Sequence, residues 1–186
     1  MRVAVLVEGA SDRAAVEALA AGRGVDLHEV GVTVVSMGGA TSIWRFLERF
    51  TREEPDVRLA GLCDAGEEGY FRRGLERVGL GPVHDRTGLE TLGFFVCDED
   101  LEDELIRTLG VPAVEQVIEA AGETRSLRAL QKQPAQRDRS PEQQVRRFFG
   151  SGSGRKIRYA RLLVEALSPE KVPRPLDRLL AHVLAG

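Results

Sequence analysis

Carboxylates close or follow three of the chain's apolar runs. Glu8 ends the run Arg2-Val-Ala-Val-Leu-Val-Glu8, and Asp64 follows Leu59-Ala-Gly-Leu-Cys63. Asp98, Glu99, Asp100, Glu102, Asp103 and Glu104 follow Phe94-Phe-Val-Cys97, and Asp12 stands just beyond Glu8. Carboxylates that converge repel one another and raise one another's pKa values unless a cation lies among them, so this pattern points to a divalent metal. Oxygen donors with almost no Cys or His nearby select Mg2+ or Mn2+ over zinc. A plainer reading also exists: acids from Asp100 to Glu104 suit a helix start, where they complement the macrodipole. That reading fits Asp103 and Glu104 better than Glu8, which closes a buried strand.

Charge is distributed unevenly. The net charge is only −3, yet residues 1–122 hold 12 Lys/Arg against 23 Asp/Glu, and residues 123–186 hold 14 against 6. An acidic front before a basic tail suits a site where carboxylates hold cations while separate basic groups hold a polyanion; a solvated helical face would produce it too. Arg146, Arg147, Arg155 and Arg158 are the candidate contacts to phosphates, which makes nucleic acid, DNA first, the expected partner. His28, His84 and His182 are scattered and supply no general base. Ser11, Trp44, Tyr70 and Tyr159 read as cap and packing residues, not as nucleophiles.

Short, nearly continuous apolar runs alternate with helical spacing: strands at 3–7, 32–37, 58–63 and 94–97, with helices between them and at 101–109. Strands of this kind predict a parallel sheet covered on both faces, which gathers functional side chains beyond the strands' carboxyl ends. From about Val111 the strands stop. Helices are expected at 112–121, 126–132, 141–149, 155–167 and 175–185, and the last two are too apolar to float free of the sheet. The expected organisation is an α/β domain over 1–122 with a basic helical extension, 123–186, packed on it. A hydrophobic fraction of 42% and a charged fraction of 30% are those of an ordinary soluble protein. No apolar run reaches the ~18 residues of a membrane span, and no leader peptide is legible, so a cytoplasmic location is expected. Cys63 and Cys97 lack metal-ligand spacing and read as buried, reduced thiols.

These residues carry a family resemblance. Glu8-Gly9-Ala10-Ser11-Asp12 after the first strand resembles the Glu-Gly-x-x-Asp opening of TOPRIM domains, found in topoisomerases, primases and nucleases. With Gly38-Gly39, Asp64, Asp100-Leu-Glu102 and a late Lys156, the chain is most similar to nucleases of the OLD (overcoming lysogenization defect) type. The resemblance implies a TOPRIM, Rossmann-like four-stranded parallel sheet and a two-metal site for Mg2+ or Mn2+. Glu8, Asp12, Asp64, Asp100 and Glu102 would be ligands, with Glu8, Asp64 and Lys156 catalytic. Lysine is scarce, three against 23 arginines, which makes Lys156 a better candidate than any single arginine to neutralise charge on the scissile phosphate, beside the plainer reading of a solvated lysine at a helix start. Two departures stand out. TOPRIM domains usually have Asp-x-Asp after the third strand, whereas this chain has Asp64-Ala65-Gly66-Glu67-Glu68, so Glu67, Glu68, or Asp100 and Glu102 would hold the second metal, unless that metal binds weakly. OLD-type proteins also carry an ATPase ahead of the TOPRIM part, and this chain starts at the first TOPRIM strand. A subunit that binds nucleic acid beside a separately encoded ATPase is therefore the rival reading. Gly150-Ser-Gly-Ser-Gly154-Arg-Lys156 lacks the spacing and the following Ser/Thr of a phosphate loop, so no nucleotide is expected there.

Overall fold

The four apolar runs become four strands of one sheet. In the computed structural model, which describes residues 2–185, β1 (Arg2–Val7), β2 (Val32–Ser36), β3 (Val57–Asp64) and β4 (Phe94–Cys97) are all parallel, in the order β2-β1-β3-β4. Val5 of β1 stands between Val34 on one side and Ala60 on the other. Successive side chains point to opposite faces. Val3, Val5, Val7, Leu62 and Phe95 enter one core, and Ala4, Leu6, Cys63, Phe94 and Val96 enter the other. Burial on both faces explains why the strands lack an alternating pattern.

Helices α1 (Ala10–Gly22), α2 (Ile43–Glu53) and α3 (Glu68–Arg77) follow the first three strands, α4 (Arg86–Thr91) precedes β4, and α5 (Leu101–Leu109) follows it. Ile43, Leu47 and Phe50 of α2, Phe71 and Leu75 of α3 and Leu89 of α4 cover the face of Leu6; α1 and α5 lie on the other. The short α4 was not expected from the sequence. It is under two turns long, too short to show a period, and Asp85 caps it by accepting from the Gly88 N–H at 2.8 Å.

The rest is helical, as expected: α6 (Val111–Ala120), α7 (Thr124–Gln131), α8 (Pro141–Phe149), α9 (Arg155–Glu165) and α10 (Arg174–Leu184). This tail continues the sheet's core without a break at residue 122. Val145, Phe148, Tyr159, Leu163, Leu176, Leu179 and Val183 are buried in the same cluster as Val3, Val5 and Phe95. At ~1.5–3 kcal/mol per buried large apolar side chain, such contacts fix the tail to the sheet. α9 packs along α1, and α10 packs on β3 and β4. Arg58 of β3 clasps the end of α10 by donating to the carbonyls of His182 at 2.8 Å and Val183 at 3.3 Å. Cys63 and Cys97 are buried free thiols, as expected. Among the described residues no helix is long and apolar enough to cross a membrane.

Candidate functional site

Parallel strands share one carboxyl edge, so Glu8 after β1, Asp64 at the end of β3 and Asp100 after β4 are delivered to the same side of the sheet. Glu8 is fixed by its backbone. The Gly39 N–H donates to the Glu8 carbonyl at 3.1 Å, in a turn where Gly38 and Gly39 have φ of +72° and +126°, conformations that only glycine takes cheaply. The Gly38-Gly39 pair after β2 thus holds the residue that follows β1.

Asp12 has a structural task besides any chemical one. Gly9, and not Ser11, caps α1, and Asp12 Oδ2 accepts the Gly9 N–H at 2.7 Å. Ser11 lies inside the helix and is buried. Asp100 caps α5, taking the Asp103 N–H on Oδ1 at 2.9 Å, while Oδ2 meets Arg146 of α8. Glu102 is only 4% exposed. Its Oε2 lies 3.2 Å from Lys156 Nζ on α9, and its Oε1 is buried with no hydrogen-bond partner.

These groups act on one another electrostatically. Burial raises the Asp64 carboxyl to about 7, helped in turn by Asp12, Asp100, Glu8 and Glu102. Glu8 is raised by burial and then by Glu67, with Lys156 opposing. Asp12 is raised by burial against the Gly9 hydrogen bond and Lys156, and Glu102 by burial against Lys156. Burial pulls Lys156 down, but Glu102, Asp12 and Asp100 outweigh it and leave the amine above its ordinary value. Four acids, Glu8, Asp12, Asp64 and Glu102, raised toward protonation around a single lysine make a site short of positive charge.

The donor set fits a divalent cation. Every candidate ligand is a carboxylate, the choice of Mg2+ and Mn2+, and the orphaned Glu102 oxygen is a polar atom whose burial costs ~1–3 kcal/mol until something pairs with it. A formed cage is not present: among the described residues no three His, Cys, Asp or Glu side chains are grouped to hold an ion. The carboxylates share one edge of the sheet. Three of them have local partners: backbone N–H groups for Asp12 and Asp100, Lys156 for Glu102 and Arg146 for Asp100.

The arginines expected to bind phosphate are largely engaged within the chain. The Arg155 side chain is only 19% exposed, with Nε 3.0 Å from Glu123 Oε2, Nη1 2.9 Å from Ser151 Oγ and its guanidinium 4.3 Å from the Phe148 ring centroid. Arg158 faces the same Glu123 at 3.5 Å and donates to the Ala121 carbonyl. Arg146 faces Glu99 at 2.8 Å as well as Asp100. Arg147 is exposed and has no carboxylate partner among the described residues. The charge count marked the tail as basic, but pairing between elements distant in sequence leaves no local signal.

Residues outside the expected set complete the edge. Arg86 at the start of α4 bridges Glu68 at 3.1 Å and Asp98 at 2.8 Å, and Glu68 also pairs with Arg72. Arg107 holds Asp103 at 2.7 Å and Glu104 at 3.0 Å, and Glu104 accepts the Asp98 N–H at 2.9 Å. Asp98, Asp103 and Glu104 therefore belong to a salt-bridge frame behind the site. Arg86 escaped sequence reasoning because its segment shows no helical period.

Comparison with known proteins bears on the front of the chain and on its fold. Residues 1–65 match the family model of the overcoming lysogenization defect protein-like TOPRIM domain. The chain is similar to the C-terminal region of the Xanthomonas campestris pv. campestris OLD protein, with a TM-score of 0.74 and 24% identity over 98% of this chain and 94% of that one. It is also similar to the C-terminal region of the Burkholderia pseudomallei OLD protein, with a TM-score of 0.72 and 20% identity over 99% of this chain and 97% of that one. No curated protein sequence matches the chain.

Proposed function

We propose that this chain, whose front carries an OLD-like TOPRIM domain and whose whole takes the fold of OLD C-terminal regions, is a cytoplasmic metal-dependent nuclease acting on DNA. The observation that carries the reading is the charge imbalance at the sheet edge: Asp64 is raised to about 7 by burial and by four neighbouring acids, with Lys156 the cation common to them. A phosphodiester is an anion, and such an edge would repel it unless cations intervened. Two bound Mg2+ or Mn2+ ions would supply a hydroxide and clamp the phosphate. Glu8, Asp12, Asp64, Asp100 and Glu102 would hold them, and Glu8 would accept a proton from the attacking water. Lys156, held protonated by Glu102, would neutralise charge gathering on the phosphate.

The missing Asp-x-Asp and the absence of a formed ligand cage among the described residues favour a second reading, a nucleic-acid-binding subunit that works beside a separate ATPase. Plasmid nicking and linearisation with Mn2+, Mg2+ or chelator separate the two. Wild type should cut with metal alone, and Asp64→Ala should lose several orders of magnitude in rate because metal stabilisation is worth several kcal/mol. A wild type that cuts neither DNA nor RNA with any divalent ion, or an Asp64→Ala that cuts as fast, gives the function to the binding subunit.

A further inference from the structure

The outer faces of α2 and α3 carry a cluster that the carboxylate edge does not use. Trp44 of α2 and Tyr70 of α3 are large rings left 37% and 40% exposed. The two helices meet at Gly74, where a Cβ would come within 3.6 Å of Trp44 Cα, so Trp44 sits on their seam. Arg77 lies over the Trp44 ring at 4.2 Å from its centroid, Arg73 is 5.1 Å from Tyr70, and Arg45 is 5.9 Å from Phe46. Arg45, Arg73 and Arg77 are exposed, and none pairs with a carboxylate among the described residues. Most nearby acids are engaged elsewhere, Glu48 with Arg52, Glu53 with Arg49, and Glu68 with Arg72 and Arg86, which leaves Glu76, an acceptor for the Val83 N–H, as the one acid on α3 outside an ion pair among the described residues. This is a local excess of positive charge in the half of the chain that holds 12 Lys/Arg against 23 Asp/Glu.

Exposed rings interleaved with uncompensated guanidiniums are the means by which proteins hold an unpaired nucleic-acid strand: bases stack on the rings, and phosphates meet the arginines. A duplex keeps its base faces hidden in its stack, so rings on a convex helical surface select a single strand. The face is also continuous with the site. Helices that follow parallel strands start at the strands' carboxyl edge, so Tyr70, in the first turn of α3, lies on the side of Asp64, and Arg73 and Arg77 carry the face along α3 to Trp44 on the seam.

We infer that the α2–α3 face binds a single-stranded nucleic-acid segment that enters or leaves the carboxylate edge. The route to that edge rests on the nuclease reading; the binding does not. Trp44 is the chain's one tryptophan, so its fluorescence reports this face alone. The full chain is titrated with a twelve-nucleotide oligothymidylate in EDTA and again in Ca2+, whose charge offsets the carboxylates. The fluorescence should be quenched, with weaker binding as salt rises and weaker binding of a duplex of equal length. The triple substitution R45A/R73A/R77A should flatten the log affinity versus log salt slope by about 2, at ~0.7 per lost contact on a single strand. Tyr70→Ala should weaken binding by about 5- to 100-fold, the range for one stacked base. Thermal melts check that both variants fold. No quenching in either buffer, or an unchanged slope in the folded triple variant, overturns the inference. So does self-association in sedimentation that the triple substitution abolishes without any response to oligonucleotide, which would make the face a protein interface. Cleavage assayed separately with Mn2+ keeps the readings apart: quenching without cutting removes the nuclease and leaves this face, and cutting without quenching does the reverse.

Discussion

Lys156 Nζ lies 3.2 Å from Glu102 Oε2 and joins α9, in the basic tail, to a buried carboxylate beside the sheet edge. Glu102 has a second, buried oxygen with no partner, so this ion pair satisfies only half of the group. Lys156→Ala should spare metal binding, because it removes no ligand, yet slow cutting by about 100-fold, the effect of losing one electrostatic stabiliser worth ~3 kcal/mol. Calorimetric metal titration and single-turnover cleavage measure the two separately. Loss of metal binding in the variant would assign Lys156 to positioning Glu102, and an unchanged rate would remove it from the chemistry.

The raised Asp64 carboxyl makes metal binding and stability depend on pH. Its folded value of about 7 lies above the ordinary 3.8, so between those values the folded chain holds a proton that the unfolded chain has lost. Stability therefore falls as pH rises through that window. Glu8, Asp12 and Glu102 are shifted in the same direction and add to the trend. In EDTA the melting temperature should drop from pH 5 to pH 8, and Asp64→Asn should lose part of the drop. Mg2+ or Mn2+ binds the ionised form, so the rise in melting temperature that metal produces should grow over the same range. A metal-induced rise independent of pH would detach these carboxylates from the ion.

What could be read from the sequence was local. The strands were legible because a parallel sheet buried on both faces demands unbroken apolar runs, as in Val3 to Val7, and the acids that end such runs must arrive at one edge. The pairings were not legible, because a charge such as Arg155 meets Glu123 only once α9 has packed, 32 residues away in sequence. The same limit hid Asp12's bond to Gly9, which requires knowing where α1 begins, and the exposure of Trp44 and Tyr70, whose apolar character alone reads as core.

Arg155 is the clearest case in which placement changes an expectation. Its guanidinium is shared among Glu123, Ser151 and the Phe148 ring, and Tyr159 donates to the same Glu123 Oε2 at 3.1 Å. Burial, then that bond, pushes the tyrosine hydroxyl up to about 12, so it stays protonated as a donor. Arg155→Ala leaves Glu123 half-buried without its cation and should cost ~1–3 kcal/mol of stability, while the salt dependence of nucleic-acid binding stays as in wild type. Chemical denaturation and a salt titration of affinity test both halves. A flattened salt slope with stability intact would return Arg155 to the phosphate-binding set.

Glu67 and Glu68 follow the place where the second acid of Asp-x-Asp is absent, and their surroundings differ. Glu68 is occupied: Arg72 and Arg86 both pair with it, and Arg86 carries the link on to Asp98, so Glu68 braces α3 and α4 against the edge. Glu67, in the turn between Asp64 and α3, forms no ion pair among the described residues, and after burial it is the largest contributor to the raised carboxyl of Glu8. Its charge thus acts on Glu8, and its longer side chain would compensate for standing one position beyond the usual second acid. Glu67→Gln should therefore weaken metal affinity and slow cleavage by about tenfold or more, since one ligand charge is lost while its size is kept. Glu68→Gln should leave metal affinity within about twofold and lower the melting temperature instead, because Arg72 and Arg86 lose the carboxylate between them. Calorimetry with Mn2+, cleavage rates and thermal melts on both variants decide the matter. If Glu68→Gln weakens metal binding while Glu67→Gln does not, the roles are exchanged, and Arg86 becomes a group that competes with the metal for its ligand.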